Sequence, residues 1–343
     1  MPPDQYRSPV TCPPRCVTSI IDVIGNTPMV ELQRIVTRSG LSGRLLAKLD
    51  YLNPGFSKKD RIAREMMLEA CQKGQLRPGQ TVVELTSGNT GTGLALVCRA
   101  LGHPFVAVMS KGNTRERARM MKALGAEVVL VDQAAGASPN QVSGEDLALV
   151  EERARQLVQQ RGAFRADQFQ LQANVLAHER HTGPEIWEQS QGKVDVFVDY
   201  VGTGGTFTGA ARFLKSRKAA IRCYVVEPAT APALAGGPIT NPSHKIQGGG
   251  YNRTHLPLLD RTLVEDYLRV TDDEAIAGAR LLADEEGIFA GFSSGAHLAA
   301  ALHLLRQRER GATIAFLICD SGLKYLSTDL YPDDRGNPCG PQL

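Results

Sequence analysis

The sequence predicts an α/β protein with two open, mostly parallel sheets and helices on both faces. Short apolar runs alternate with helical stretches along most of the chain, as in parallel βαβ units. Two of these runs end in glycine- and threonine-rich turns that open a helix. The length of 343 residues suits about two domains of ~150 residues each.

The predicted strands are apolar runs rich in Val, Ile and Leu. They cover residues 44–48, 81–85, 104–109, 127–131, 194–198, 222–226 and 313–318. The predicted helices cover residues 91–101, 115–124, 147–160 and 297–306. In the third of these helices, Leu147, Val150, Ala154 and Leu157 form an apolar stripe. The polar stretch 133–145 predicts a surface loop, and residues 1–19 and 332–343 predict loose tails.

Composition excludes several classes of protein. The net charge is +3, from 39 basic and 36 acidic residues, so nothing indicates a nucleic-acid partner. No uncharged apolar run reaches the ~18 residues needed to span a bilayer, and the N-terminus lacks a secretory apolar region. The seven cysteines are odd in number and mostly dispersed, which favours reduced thiols in a cytoplasmic protein. Cys12 and Cys16 form a close pair without further ligands, so we expect no metal.

The segment Asn53-Pro-Gly-Phe-Ser-Lys-Lys-Asp-Arg61 holds the candidate reactive lysine. Ser57 can cap a helix, which places Lys59 in its first turn. The positive end of the helix dipole disfavours an ammonium there and lowers its pKa, as a Schiff-base lysine requires. A basic surface turn is the alternative interpretation.

Two loops offer free backbone N–H groups at helix starts. They are Glu84-Leu-Thr-Ser-Gly-Asn-Thr-Gly-Thr-Gly93 and Val201-Gly-Thr-Gly-Gly-Thr-Phe-Thr-Gly209. Such loops bind a carboxylate or a phosphate, or they serve only to pack a helix closely on a sheet. The second is not a dinucleotide fingerprint, because Phe207 stands where that motif needs glycine, and no P-loop Gly-Lys-Ser/Thr follows.

Two further motifs match enzymes only formally. Gly291-Phe-Ser-Ser-Gly295 has the spacing of a nucleophile elbow, but no acidic residue lies between Ser293 and the later His297 or His303. We therefore expect Ser293 to cap a helix or to face a cofactor. His178-Glu-Arg-His181 is one residue too short for a zinc motif, so it predicts a helix surface or a packing feature.

Together these motifs resemble the cysteine synthase family, in the tryptophan-synthase-β-like group of fold type II pyridoxal-phosphate enzymes. The resemblance spans residues 20–331 and includes the lysine segment, both glycine loops and Ser293-Ser-Gly295. It implies a large cofactor-binding domain of residues 20–52 and 165–331, and a small mobile domain of residues 53–164. It further implies pyridoxal 5'-phosphate as cofactor, a homodimer, and serine acetyltransferase as a candidate partner.

The resemblance also implies a role for each matching residue. Lys59 is the Schiff-base lysine and general base, Asn89 binds the cofactor's ring oxygen, and Ser293 faces its pyridine nitrogen. The cofactor phosphate is held by Gly202, Thr203, Gly204, Gly205 and Thr206, and the substrate by Thr86, Ser87, Gly88, Thr90, Gln168 and Gly248. Lys58 departs from the family, which has an apolar residue there, and is a minor competitor for the cofactor.

The activity implied is β-replacement on O-acetyl-L-serine with sulfide, through a Lys59 aldimine and an aminoacrylate, giving L-cysteine and acetate. A specialised reaction is the alternative, with O-phospho-L-serine as donor or an amine or thiol as nucleophile. The loop bearing Tyr251, Asn252 and Arg253 departs from the family and either recognises a larger or charged nucleophile or is a solvated loop without substrate contact. A cofactor-free binding module is a further alternative, which the intact lysine and glycine motifs disfavour. A nicotinamide dehydrogenase fails at Phe207.

Overall fold

The structure is a computed structural model that describes residues 16–86, 88–113, 115–135, 142 and 144–332. Within these ranges the strands are β1 (Met29–Glu31), β2 (Arg44–Lys48), β3 (Val82–Leu85), β4 (Phe105–Ser110), β5 (Glu127–Val131), β6 (Phe164–Arg165), β7 (Val196–Tyr200), β8 (Arg222–Pro228), β9 (Asp266–Val270) and β10 (Thr313–Leu317). Most of the predicted tails, residues 1–15 and 333–343, and most of the predicted loop 133–145 lie outside the described residues.

The α-helices of the described ranges alternate with these strands. They are α1 (Gln33–Arg38), α2 (Lys59–Gln72), α3 (Asn89–Leu101), α4 (Arg115–Ala123), α5 (Gly144–Arg161), α6 (Ala173–Ala177), α7 (Gly183–Gln189), α8 (Gly205–Arg217), α9 (Asp272–Glu286) and α10 (Phe292–Gln307). A π-helical turn, His178–Thr182, joins α6 to α7, and short 3-10 segments include Asp50–Leu52 and Gly322–Tyr325.

The strands form two sheets. The larger has the order β1-β2-β10-β7-β8-β9 and is parallel except for the β1–β2 pair. The smaller has the order β5-β4-β3-β6 and is parallel throughout. This architecture confirms the fold class predicted from the alternation of strands and helices.

Both sheets are covered on both faces, as parallel sheets require. In β7, Val198 packs in one core cluster with Phe316, while Phe197 packs in another with Phe207 of α8. The smaller sheet is layered in the same way, because Ala107 and Val108 of β4 belong to different clusters. Burial on both faces explains why these strands read as continuous apolar runs.

Most element boundaries lie within two residues of the predictions, and one helix differs more. The sequence predicts a helix over 297–306, whereas α10 spans Phe292–Gln307 and includes Ser293 in its first turn. Its glycine- and serine-rich start is helical because Gly295 packs directly on α9: a Cβ there would lie 1.9 Å from Ala275 O. Close helix packing has outweighed weak local propensity.

Candidate active site

One cavity lies at the carboxyl ends of strands from both sheets, the usual ligand position in open α/β folds. Its empty space is about 590 Å³, part of which is open to solvent. Its wall contains Lys58, Lys59, Asn89, Gln168, Phe169, Asp199, Tyr200, Gly202, Thr203, Gly204, Thr206, Gln247, Gly248, Tyr251, Ser293 and Cys319. The structure thus brings together both lysines, the second glycine loop and Ser293 around a single space.

Lys59 is the first residue of α2 and faces this cavity. The Ser57 hydroxyl accepts a hydrogen bond from the Lys59 N–H at 3.3 Å, although the helix itself begins only at Lys59. Burial and the neighbouring charge of Lys58 lower the pKa of Lys59 to about 8, while Asp199 and Cys319 act in the opposite direction. A sizeable share of neutral amine is therefore present near neutral pH.

Lys58 is buried in the same wall and paired with a carboxylate. Its Nζ donates to Asp199 Oδ1 at 2.9 Å, and the two side chains are 10% and 2% exposed. Burial alone would raise the pKa of Asp199, but its interactions with Lys58 and His297 together outweigh burial and lower this pKa to about 2. For Lys58, burial acts to lower the pKa, but the charges of Asp199 and Cys319 and the hydrogen bond to Asp199 together raise it. Lys58 therefore holds its proton more strongly than Lys59 does.

His297 lies one turn after Ser293 on α10 and holds two strand ends together. Its Nδ1–H donates to Leu317 O at 2.7 Å, and its Nε2 accepts from Tyr200 N–H at 2.5 Å. The same Nε2 lies 3.4 Å from Asp199 Oδ1. The ring therefore fixes the end of β7 that carries Asp199.

The glycine loop between β7 and α8 forms an anion cradle at a helix N-terminus. Gly204 has φ +86°, in the left-handed region. At Gly205 a Cβ would lie 2.2 Å from Asn174 Oδ1, so only glycine fits. Asn174 also donates to Thr203 Oγ1 at 3.0 Å, which orients that hydroxyl.

His178 supports the cradle from behind. Its Nε2 lies 3.1 Å from Thr206 Oγ1, and its Nδ1 lies 2.8 Å from Thr182 Oγ1. Burial, reinforced by the charges of Lys58 and Arg61, lowers the pKa of His178 well below its usual value, so the ring stays neutral. The sequence interpretation of this histidine as a packing feature misses its contact with Thr206.

The loop between β3 and α3 is organised by Thr86. Its Oγ1 accepts from Gly88 N–H at 2.9 Å and from Gly91 N–H at 2.8 Å. Thr90 Oγ1 donates to Gln168 Oε1 at 2.6 Å. Of the residues predicted to bind substrate, Gln168 and Gly248 lie in the cavity wall, whereas Thr86, Gly88 and Thr90 belong to the adjoining loop before and within the start of α3 and do not line the cavity; Ser87 is outside the described residues.

Asn89 lies in the wall and links the two sheets. Its Nδ2 donates to Asp320 Oδ2 at 2.7 Å, and its Oδ1 accepts from Lys324 Nζ at 2.8 Å. Lys324 also donates to Gly55 O at 2.8 Å, within the turn before the lysine helix. The predicted ring-oxygen ligand is therefore held by residues that follow β10.

Several wall residues were absent from the sequence predictions. Asp199, Tyr200 and Cys319 stand at the carboxyl ends of β7 and β10, a position that could have marked them. Phe169 and Tyr251 meet edge to face, with ring centroids 6.1 Å apart. A smaller recess shares Gly202 and Tyr251 with the cavity and is lined by Asn252 and Arg253.

The exposed guanidinium of Arg253 stacks on Phe169, with Cζ 4.8 Å from the ring centroid. Among the described residues no cluster of His, Cys, Asp or Glu could hold a metal ion. Cys12, which forms the only close pair of cysteines in the sequence with Cys16, lies outside the described residues. In the same ranges no helix is both long and apolar enough to cross a membrane.

The donor set fits the phosphorylated cofactor that the motifs imply. The Gly202–Thr206 loop opens α8, so its backbone N–H groups can bind an anion, and it packs so closely that a Cβ at Gly202 or Gly205 would collide with Gly248 O or Asn174 Oδ1. A lysine with a lowered pKa and a serine hydroxyl share the cavity with it. Residues 20–320 match the family model described as "Pyridoxal-phosphate dependent enzyme". The fold and the site define a pyridoxal-phosphate enzyme of fold type II.

Related proteins narrow the family. Cysteine synthase A of Escherichia coli (strain K12) is 42% identical over 318 residues, which cover 90% of this chain and 94% of that protein. The crystal structure of O-acetyl serine sulfhydrylase isoform 3 from Entamoeba histolytica aligns with TM-score 0.86 and 34% identity, over 96% of this chain and 97% of that one. O-ureido-L-serine synthase aligns with TM-score 0.82 and 36% identity, over 94% and 98%. The chain belongs to the cysteine synthase family, and it is a pyridoxal-phosphate-dependent transferase of the β-replacement type.

Proposed function

We propose that the chain makes L-cysteine and acetate from O-acetyl-L-serine and sulfide. The observation that carries this proposal is the placement of Lys59 at a helix N-terminus, facing the Gly202–Thr206 cradle and Ser293 across one cavity. Relatives named cysteine synthase and O-acetyl serine sulfhydrylase support this choice of donor and acceptor.

Bound pyridoxal phosphate supplies an aldehyde that links to amines and a ring that takes up the electron pair left at Cα. In the proposal, the N–H groups and hydroxyls of Gly202, Thr203, Gly204, Gly205 and Thr206 bind its phosphate, and Asn89 binds its ring oxygen. Ser293 offers the pyridine nitrogen a hydroxyl rather than a carboxylate. This partner does not force protonation of the ring, which suits loss of a good leaving group from Cβ.

Lys59 moves the protons in this proposal. Its neutral Nζ removes the Cα proton of the donor, the acetate leaves from Cβ, and the nucleophile adds at the same carbon. Lys59 Nζ then returns a proton to Cα. Thr86, Ser87, Gly88, Thr90 and Gln168, with Gly248 on the facing loop, bind and orient the donor carboxylate, so that the Cα–H bond points toward Lys59.

The first test is the absorbance spectrum of the holoenzyme before and after addition of O-acetyl-L-serine. We expect a cofactor band that shifts on donor addition and returns when sulfide is added, with cysteine and acetate formed in equal amounts. Lys59→Ala removes the general base, so we expect at least a 10³-fold loss of turnover with the cofactor still bound through its phosphate. A cofactor band that ignores O-acetyl-L-serine would reject this donor, and O-phospho-L-serine would be tested next.

A second candidate function rests on Phe169 and Tyr251 of the cavity wall and on Arg253, which lines the adjoining recess and stacks on Phe169. An exposed guanidinium beside two aromatic rings suits an acceptor larger than sulfide and bearing an anionic group. The likeness to O-ureido-L-serine synthase favours a product other than cysteine as well. The two candidate functions are distinguished by letting sulfide, thiols and amino-acid amines compete for one donor and measuring the products. A strong preference for a non-sulfide acceptor would reject cysteine as the main product.

We also propose a homodimer in which residues 53–164 close over the bound donor. Phe56, Leu323 and Leu326 are large, apolar and exposed, and Phe56 O accepts from Ser321 N–H at 3.2 Å, which joins the Phe56 turn to the segment that leads to the two leucines. Such a patch favours a second copy as its occupant.

Sedimentation velocity of the holoenzyme, with and without the C-terminal peptide of a serine acetyltransferase, tests both the dimer and that partner. Small-angle scattering with and without donor tests the closure.

A further inference from the structure

Two lysines that are neighbours in sequence reach the same cavity. Lys58 and Lys59 both line its wall, and the Lys58 side chain is only 10% exposed. Either amine could meet a bound aldehyde, yet only one linkage gives a productive geometry. The structure therefore has to discriminate between two chemically identical groups.

The discriminating contact comes from the larger sheet. Asp199, near the end of β7, is 1% exposed and binds Lys58 Nζ at 2.9 Å. His297 on α10 lies beside this carboxylate, with its Nε2 3.4 Å from Asp199 Oδ1. A further group near Lys58 and Asp199 is Cys319, which follows β10 and is 4% exposed. Lys59 has no hydrogen bond from its Nζ to a carboxylate among the described residues.

We propose that Asp199 is a positioning residue that selects Lys59, and not Lys58, as the lysine linked to the cofactor. Linkage begins when the lone pair of a neutral amine attacks the aldehyde carbon, after which the carbonyl oxygen leaves as water. An ammonium has no such lone pair. By holding Lys58 protonated and turned toward β7, Asp199 removes it from the competition. This inference rests on the proposed role of Lys59.

The electrostatics support the geometry. The fixed charge of Lys58 lies beside Lys59 and lowers its pKa, so the pair leaves one lysine charged and makes the other easier to deprotonate. A purely structural Lys58–Asp199 ion pair would tie α2 to β7 equally well. It would not determine which lysine reacts, and this difference can be measured.

The experiment locates the linked lysine. Purified protein is incubated with pyridoxal phosphate, reduced with borohydride and digested, and the pyridoxyl-lysine is located by mass spectrometry. We expect labelling at Lys59 in the wild type and little labelling at Lys58 in Lys59→Ala. In the double variant Lys59→Ala/Asp199→Asn we expect at least tenfold more labelling at Lys58 than in Lys59→Ala alone. Equal labelling at Lys58 in these two variants would overturn the inference.

Asp195→Asn in the Lys59→Ala background is the matched control. Asp195 immediately precedes β7 and binds Lys218 Nζ at 2.7 Å, away from the cavity wall, so its loss should leave Lys58 unlabelled. Absence of label at Lys59 in the wild type would instead reject the proposed function, which keeps the two failures distinct.

A measurement on the unmutated chain covers the case in which Asp199→Asn does not fold. Trace labelling of amines with acetic anhydride, from pH 6 to 10.5, gives the reactivity of each lysine in the cofactor-free protein. We expect Lys59 to reach half of its full reactivity near pH 8 and Lys58 to stay protected throughout. If Lys58 became reactive at or below the pH of Lys59, Asp199 would not be holding it and the inference would be wrong.

Discussion

At the scale of single residues, some side chains contribute to the cavity by orienting other side chains that line it. His178 and Asn174 stand behind the cradle and orient Thr206 and Thr203, whose hydroxyls face the phosphate position in the proposal. A neutral His178 accepts from the Thr182 hydroxyl at Nδ1 and donates its Nε2–H to Thr206 Oγ1, which leaves the Thr206 proton available to an anion. The hydroxyls that face the phosphate position are therefore supported by a second set of side chains.

Thr206→Val tests the role of the Thr206 hydroxyl in binding phosphate. Loss of one hydroxyl hydrogen bond to an anion should weaken the affinity of the cofactor-free protein for pyridoxal phosphate by roughly 10- to 150-fold, since such bonds contribute roughly 1.5–3 kcal/mol. The affinity for pyridoxal, which has no phosphate, should not change. Fluorescence titration with both compounds measures the two dissociation constants.

Thr208→Val is the control for this prediction. Thr208 lies on the same helix, but its hydroxyl binds Leu258 O at 2.7 Å, outside the cavity wall. We expect lower stability with an unchanged affinity for pyridoxal phosphate. An equal loss of affinity for both compounds in Thr206→Val would show that Thr206 shapes the cavity rather than binding phosphate.

At the scale of elements, the crossing of α9 and α10 sets the position of Ser293. Gly278 and Gly295 face each other across this contact, and a Cβ on Gly278 would lie 2.3 Å from Gly295 O. The two backbones touch because neither residue has a side chain. Since Ser293 stands two residues before Gly295, the depth of this crossing determines how far its hydroxyl extends into the cavity.

Gly295→Ala should force the two helices apart. The new Cβ would meet Ala275 O at 1.9 Å and Ala279 N at 2.5 Å, both backbone atoms that cannot rotate away. Overpacking of this kind costs about 1–3 kcal/mol or more, so we expect a clearly lower midpoint of thermal unfolding. Gly144→Ala, where the nearest atom is 3.8 Å away, is the matched control and should keep the midpoint or raise it slightly. Identical midpoints for the two variants would contradict the close crossing.

The elements also show what could be predicted from the sequence. The strands 44–48 and 127–131 coincide with β2 and β5 because their short apolar runs, Leu-rich in β2 and Val-rich in β5, are a local signal. Helix α9 was not predicted, although its start carries a capping box, Thr271 with Glu274. The Lys58–Asp199 pair had no local signal, because its partners are 141 residues apart. The order of the motifs along the chain was enough to identify the family. The residues that contact each motif residue could not be predicted, because the tertiary fold brings them together.

At the scale of the whole molecule, a buried ionic network joins the two sheets beside the cavity. Arg61 on α2 is fully buried and binds Asp50 at 2.9 Å and Glu185 at 2.7 Å. Lys48, at the end of β2, binds Glu185 at 2.6 Å. Burial alone would raise the pKa of Glu185, but hydrogen bonds and charge from Arg61 and the charge of Lys48 lower it to about 2.

This lowered pKa predicts how the stability depends on pH. A carboxylate whose pKa falls on folding stabilises the protein fully above its unfolded pKa of 4.5 and loses this contribution as pH falls toward 2. Glu185→Gln lacks the contribution at every pH. The difference in unfolding free energy between wild type and Glu185→Gln should therefore shrink by about 2 kcal/mol from pH 5 to pH 3.

Urea unfolding at both pH values measures this difference. Glu188→Gln is the control, because Glu188 is exposed on the same helix and its substitution should leave the pH dependence unchanged. A difference for Glu185→Gln that is constant between pH 5 and pH 3 would show that Glu185 is not held ionised by Arg61 and Lys48.

The central position of β10 has a consequence for synthesis on the ribosome. β10 pairs with β2 on one side and β7 on the other, although β2 is made early and β10 near the end of the described chain. At ~5–20 residues per second, the nascent β1–β2 ribbon waits on the order of tens of seconds for its neighbour. Throughout that interval one edge of β2 remains unpaired and open to aggregation or to a chaperone. Asp320 and Lys324, which hold Asn89, emerge later still, so cofactor loading is expected only once synthesis has passed them.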